Sequence, residues 1–484
     1  MAQARLVGAP GSRASKWRAL GLIAGIAAVA AALTFASGGR PVLLAVPATV
    51  LALTIMLAPL LGMVLTITTQ IVWLLGAYAP GGIAALALSK VFTALSVLAW
   101  LQLALRERVA PTYAPHLLAL GAFLLVVLLG PVLTPAFDDA IVGWGKYAMM
   151  LLTYLVVANL AISRRGVRIA VIAVTGAATL SALLALVERF LPGVSLNFGG
   201  DIGLGAIADP ESIEGVTIKR VTGGIGDANW FSYTMATAVP LCWYWFRAAR
   251  AWPGRLAAVA LALLMLTGIV LSYTRTPLIG LAGVVIFMVW KRRFALLPVL
   301  VLTAVMAASA PLWLPAGFLD RFFSEKYLRE GSTPMRREIF SMAIQLIELR
   351  PLLGFGYQQF GPQFIARSKT EMGLEWERRD EAGTEPARLL RAHNLYLDVW
   401  VQHGLIGLLP LLMTYGLLLR EMNQVSATGP PDEAELAIAL MACLISFYLC
   451  GLGGHSQELK IFWVLAGLCA GLRRVSFGGG VPPH

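Results

Sequence analysis

Continuous apolar runs constrain this chain more than any other feature. They recur from Leu20 to Leu472, too many to be the segments of one buried core. Lipid offers no hydrogen bonds to a bare backbone, so such runs cross a membrane as helices. A membrane barrel would need strands that alternate apolar and polar residues, and these runs do not alternate. Composition agrees: 58% of the 484 residues are hydrophobic and 13% are charged, about half the charge of an average soluble domain. The expected fold is an all-α, polytopic transmembrane bundle.

Fourteen candidate spans fall near 19–36, 41–58, 61–79, 84–105, 116–134, 142–160, 167–189, 229–247, 255–272, 276–291, 295–314, 394–419, 435–451 and 458–472. The division between Pro41 and Pro80 is the weakest, and twelve or thirteen true spans stay open. Arg5, Arg13, Lys16 and Arg18 precede the first run without a clear cleavage site and a soluble domain behind it. That run reads as a retained span.

Net charge is +12, yet the basic residues cluster at the ends of apolar runs. That is a topology signal, not a nucleic-acid signal. With fourteen spans and a cytoplasmic N-terminus, Arg106/Arg108, Arg164/Arg165/Arg168, Arg247/Arg250/Arg255, Lys291/Arg292/Arg293, Arg420 and Arg473/Arg474 all fall inside. The loop 190–228, the turn at 272–276 and the stretch 316–393 then face outward. The chain divides into N-terminal helices 1–189, a region 190–420 containing the loop 316–393, C-terminal helices 421–474 and a disordered tail 475–484. Within the loop, "MRREIFSMAIQLIEL" from Met335 puts Ile339, Met342, Ala343, Leu346 and Ile347 on one helical face, as a helix lying on a bundle or bilayer requires. "PLLGFG" then ends it. Cys242, Cys443, Cys450 and Cys469 sit inside apolar runs and read as small buried residues, without a disulfide or metal framework.

Outward-facing cations break the positive-inside pattern, so they carry the functional argument. Arg275, in "LSYTRTPLIG", either snorkels to the interface or turns its fork of donors toward an anion such as phosphate. Arg220, in "KRVTGGIGDANWFSYTM", stands before glycines that permit close approach of a ligand, with Asp227 or Asn229 available to cap the next helix. No P-loop Lys-Ser/Thr follows, which removes an ATPase reading. His393 heads a stripe of Asn394, Asp398 and Gln402, each four residues apart, on one face of a helix where polar groups turn to a bundle interior or wet cavity. His393 is either a capping or interfacial histidine or a neutral imidazole placed to take a proton from a hydroxyl. Asp398 is too isolated for a divalent ion and better suited to orienting a polar network. His403 reads as structural, the roles of His455 and nearby Glu458 stay open, and no HxxxH or paired-cysteine pattern marks a metal.

At these residues the chain resembles the O-antigen ligase and polymerase superfamily of bacterial inner-membrane glycosyltransferases. The matching stretches are "RVTGGIGDANWFS" from Arg220, "SYTRTPLIG" from Ser272, "PLLGFG" from Pro351 and "HNLYLDVWVQHGLIG" from His393. Two positions depart from the pattern. Thr274 stands where serine is common, and His403 where relatives often carry glutamate. The resemblance implies a GT-C-like bundle with one long periplasmic loop. It implies transfer of a glycan from a polyprenyl (undecaprenyl) diphosphate carrier to an acceptor hydroxyl, without nucleotide, metal or other cofactor. The acceptor would be lipid A core, ahead of a carrier-linked glycan in a polymerase or a protein hydroxyl in an O-glycosylation ligase. Arg220 and Arg275 would meet the departing diphosphate and His393 would be the base, facing the periplasm. Tyr273, Asn394, Arg336, Arg337 and Asp398 are further candidates for substrate contact, the arginine pair having ordinary surface ion pairs as its alternative. The other partners expected are membrane lipids, and no nucleic acid. A membrane glycan transporter is the competing class, and it should show an internal repeat or helices broken at the bilayer midplane in both halves.

Overall fold

The structure is a computed structural model that describes residues 41–73, 87–133, 137–191, 211–213, 216–218, 220–297, 332–368 and 390–478, with a few isolated residues between. The predicted first span, 19–36, lies outside the described residues, as does most of 295–314. The other twelve predicted runs coincide with helices: α1 (Pro41–Leu57), α2 (Pro59–Ile71), α3 (Leu88–Glu107), α4 (His116–Leu133), α5 (Phe137–Leu160), α6 (Arg164–Phe190), α7 (Ala228–Ala248), α8 (Trp252–Leu271), α9 (Thr276–Trp290), α12 (Leu395–Thr428), α13 (Pro431–Cys450) and α14 (Lys460–Phe477). Two helices of the loop region complete the set, α10 (Ser332–Leu349) and α11 (Phe360–Arg367).

The chain is thus a polytopic membrane helical bundle. Five of its described helices (α3, α6, α8, α12 and α13) are long and apolar enough to span, and α1 with α2 makes a sixth if their 117° bend is counted as one broken span. That is fewer than the twelve to fourteen expected. Several predicted runs are shorter or more polar than a full crossing demands, among them α9 at 15 residues. The bend falls at Ala58–Pro59, where proline cannot donate to the preceding turn. One feature departs from all-α: Glu211–Ile213 (β1) and Val216–Ile218 (β2) pair as a short antiparallel hairpin after α6.

Burial sorts the helices into layers. Most of the α13 span is enclosed (83%), whereas α3 and α8 are 28% enclosed and form the periphery. Around α13 pack α7, α9 and α12, while α14 lies against α5 and α4 against α12. A buried polar contact ties three of them together. His116 of α4 lies 2.9 Å from Glu421 of α12 and 2.9 Å from the Tyr154 hydroxyl of α5.

The two ends of the bundle differ in charge chemistry. At one end Arg164 pairs with Glu433 at 2.8 Å and Arg293 with Glu435 at 3.1 Å. There too Arg474 donates to Ala110 O and Thr112 Oγ1. The opposite end holds the start of α7, the α8–α9 turn, the start of α12 and the loop between α13 and α14. Helix α14 runs three residues into the predicted tail, to Phe477, because Gly478 takes the left-handed conformation that closes a helix.

The loop helix α10 behaves as its periodicity predicts. Ile339, Met342, Ala343, Leu346 and Ile347 are all buried, in a satellite core with Phe355, Phe360, Phe364 and Val401. The "PLLGFG" stretch does more than end that helix. It pairs with a break in α12, where Gly404 adopts φ 62°. Phe355 and Gly356 N–H donate to the carbonyls of Val401 and Gln402 (2.8 and 2.9 Å), and Leu405 N–H donates to Pro351 O at 2.9 Å. Backbone groups freed by the break are therefore satisfied by protein, the condition for irregular chain at membrane depth.

Candidate functional site

The α7 end of the site is built by short-range capping. Asp227 accepts the Trp230 N–H at 2.7 Å and starts the helix, leaving Asn229 for another use. Asn229 Oδ1 accepts from Arg220 Nη2 at 3.0 Å. The same guanidinium donates to Ser272 O (2.9 Å) and Thr274 Oγ1 (3.0 Å). Arg220 thereby fastens the glycine loop to the α8–α9 turn, one residue from Arg275. The hydroxyl at Thr274, where the resemblance expected serine, makes this contact. Behind the loop, buried Glu188 of α6 accepts the Thr222 and Gly223 N–H groups at 2.8 and 3.1 Å. Gly223 has φ 55° and no room for a side chain, since a Cβ there would lie 2.4 Å from Phe231.

Strained backbone collects here. Tyr273 and His393 are non-glycine residues at positive φ, 52° and 48°, which a fold retains only when its surroundings over-determine it. Tyr273 is buried. His393 is half-buried, and Asn394 behind it caps α12 by accepting the Tyr396 and Leu397 N–H groups while donating to Leu452 O at 3.0 Å.

The histidine has a partner that sequence reasoning left open. The His455 ring, in the α13–α14 loop, stands 5.5 Å from His393 centroid to centroid and 5.6 Å from Trp230. The Nδ1 of His455 is buried without a hydrogen-bond partner among the described residues. A short relay therefore joins Arg220 to His393 through Asn229–Trp230 and His455. Burial, then His455 and Arg336, push His393 down to about 3. Burial and Arg391 lower His455 in the same direction. Both rings are neutral at neutral pH, so either can accept a proton. An anion bound beside them would raise their basicity toward a working range.

Below the histidines lies a buried ionic network. Arg391 Nη2 bonds Asp398 Oδ2 at 2.9 Å and Glu458 Oε1 at 3.1 Å. Asp398 also accepts from Gln402 (2.6 Å), Gln457 and the Ala392 N–H (3.1 Å). Glu458 accepts the Tyr357 hydroxyl at 2.9 Å and faces Lys146 at 3.6 Å. The expected stripe of Asp398 and Gln402 is present. Asp398 is buried, and the contacts it makes are with these network partners.

The remaining candidates divide. Arg336 is half-buried and its charge reaches His393. Arg337 is exposed on the other face of α10. His403 is buried and packs edge-on to Phe123 and Tyr147. Gly407 leaves His403 room, its absent Cβ falling 2.4 Å from that side chain. Sequence reasoning missed Arg391, Lys146 and Tyr357 as members of the site's support. One signal was available: "GHSQELK" from Gly454 is a polar run between two apolar helices. Among the described residues, no three His, Cys, Asp or Glu side chains gather to hold a metal ion.

Comparisons with known proteins fall on the same region. A family model described as O-Antigen ligase matches residues 235–412, which contain Arg275, "PLLGFG" and His393 but not Arg220 or His455. A protein described as a putative polysaccharide ligase from Rickettsia felis is 26% identical over 153 residues, 31% of this chain and 33% of that protein. The chain thus spans about a third of the length of the curated relative it matches. This is weak, partial homology to an O-antigen ligase domain protein, consistent with a membrane enzyme that handles glycans.

Proposed function

We propose that this chain is an inverting, metal-independent glycosyltransferase of the bacterial inner membrane, taking a glycan from an undecaprenyl diphosphate carrier. The observation that carries the reading is the convergence of Arg220, the Arg275 turn and the His393–His455 pair at one end of the bundle. Basic loops gather at the other end, which supports a periplasmic site by the positive-inside tendency. The same reading takes up the finer architecture, a GT-C-like bundle with a long periplasmic loop.

In this mechanism the donor diphosphate lies against Arg220 and Arg275, with Arg336 near its sugar. The acceptor hydroxyl attacks C1 from the face opposite the diphosphate, and its proton passes to neutral His393. The C1–O bond breaks with its electron pair leaving on the diphosphate, and the anomeric configuration inverts. Guanidinium groups stabilise that charge as it develops, and each such contact contributes about 2–4 kcal/mol, roughly 30- to 1000-fold in rate. Arg391, Asp398 and Glu458 hold the α12 start and the His455 loop in register. Tyr273 and Asn394 shape the floor through backbone geometry and capping.

The acceptor proposed is lipid A core. Deleting the gene and analysing surface glycan tests this. Full-length carrier-linked chains that never attach support the ligase. Single repeat units in place of long chains assign a polymerase instead, and intact lipopolysaccharide with unglycosylated protein assigns a protein O-glycosylation ligase.

A further inference from the structure

Two arginines of the loop region converge on one aromatic ring outside the histidine site. Arg350 directly follows α10, and Arg367 is the last residue of α11. Their guanidinium carbons lie 4.9 and 5.7 Å from the centre of the Phe355 ring, within the range at which a cation is drawn to a ring face. Phe355 is buried, whereas both arginines are exposed. The ring is held in place from the α12 side, because Phe355 N–H donates to Val401 O at 2.8 Å. Among the described residues no carboxylate pairs with either guanidinium, and Arg367 donates to the Gln363 side-chain oxygen. Like charges held on one ring repel each other, and an anion bound to both offsets that repulsion.

The surface beside the pair is apolar. Leu349, Leu352 and Leu353 are 59%, 59% and 54% exposed, in a run from 349 to 353 that buries none of its residues. Three leucines so placed in water would be an association hazard. Backbone contacts tie this run to the membrane face of α12. Leu405 N–H donates to Pro351 O at 2.9 Å and Ile406 N–H to Leu352 O at 3.3 Å. From that point α12 carries exposed Ile406, Leu409 and Met413 at helical spacing. Helix α12 is long and apolar enough to span, so this stripe is the face it turns to lipid. The leucine run continues that stripe at the end nearer the histidines, and the arginines stand beside it. Arginine stems lie along apolar surface while their heads meet phosphate at headgroup level.

We propose that Arg350 and Arg367, stacked on Phe355, bind the phosphate of an anionic phospholipid whose acyl chains lie on Leu352 and Leu353. The occupant is a bilayer lipid and not a soluble anion, because the surface leading away from the arginines is continuous with the lipid-facing stripe of α12. A lipid bound there fastens the segment that pairs with the α12 break to the membrane surface. The site stands apart from the transferase reading and does not depend on it.

The test uses the full chain in neutral detergent, with bimane on Leu353→Cys. Cys242, Cys443, Cys450 and Cys469 are buried, which favours labelling at the new thiol. Lipids with brominated acyl chains quench the dye on contact. Brominated phosphatidylglycerol is expected to quench at about 10-fold lower concentration than brominated phosphatidylcholine. Arg350→Gln combined with Arg367→Gln should bring the two lipids to within about 2-fold of each other. Arg250→Gln, an exposed residue of the α7–α8 loop, should leave the preference unchanged. Equal quenching by both lipids before any arginine is changed overturns the proposal, as does a preference that survives the double change. Absence of quenching by either lipid places Leu353 away from acyl chains and overturns it too. Farnesyl diphosphate separates the rival occupant. Quenching that persists when it is added at about one tenth of the phosphatidylglycerol concentration supports the phospholipid. Quenching that it abolishes at that level assigns the arginines to a carrier diphosphate and overturns the proposal.

Discussion

Neutral imidazoles beside arginines set the chemistry at the scale of single residues. Because folding lowers the His393 pKa from its ordinary 6.5 to about 3, the unfolded chain takes up a proton before the folded one does. Its contribution to stability is therefore present above pH 6.5 and is lost as pH falls toward 3. Thermal unfolding from pH 7.5 to 4 should show the wild type losing more stability than His393→Gln, and parallel curves would contradict the assignment. His455 is expected to matter through its nitrogens. His455→Phe keeps the ring against His393 and Trp230 but should slow transfer about 10- to 100-fold, whereas unchanged turnover would reduce it to a packing ring. Arg220→Lys keeps charge but cannot reach Ser272, Asn229 and Thr274 together. A loss of about 30-fold or more is expected in a transfer assay.

Helix α12 concentrates the fold's stakes at the scale of elements. A Cβ on Gly404 would sit 1.9 Å from Leu352 O, at a φ that L-residues avoid. Gly404→Ala should therefore destabilise by about 3 kcal/mol, read as a drop in unfolding temperature in detergent. Arg391→Ala strands two buried carboxylates and should cost about 3–5 kcal/mol on the same measurement. The sequence made part of this element legible. The four-residue spacing of Asn394, Asp398 and Gln402 exposed the polar face, and Pro351 with its glycines marked the end of α10. The break at Gly404 was not legible, because its partner is backbone about fifty residues earlier and leaves no side-chain periodicity. The pairing of Arg391 was not legible either, because its partners Asp398 and Glu458 lie on separate elements.

At the scale of the whole molecule, helix positions among the described residues were readable because membrane helices write long apolar runs into a sequence, and α10 showed its buried face by period alone. The number of full crossings was less readable. Run length cannot distinguish a span from a bent pair such as α1 and α2, or from a short helix packed inside the bundle. Convergence of Arg220 with His393 depends on four segments meeting at one end, and His455, on the last of them, carried no motif. Charge asymmetry between the ends gives its own prediction. A single cysteine at exposed Leu452 should react with a membrane-impermeant thiol reagent from outside the cell, and one at exposed Arg250 only after permeabilisation. Inverse labelling would place the site in the cytoplasm, away from a periplasmic acceptor.

Reconstituted transfer from an undecaprenyl diphosphate oligosaccharide to lipid A core, followed by NMR of the new linkage, tests the central claim most directly. The account predicts release of undecaprenyl diphosphate, an inverted anomeric centre, and turnover at least about 100-fold slower in His393→Ala at equal protein. Retention of configuration, or equal turnover by His393→Ala, would contradict it.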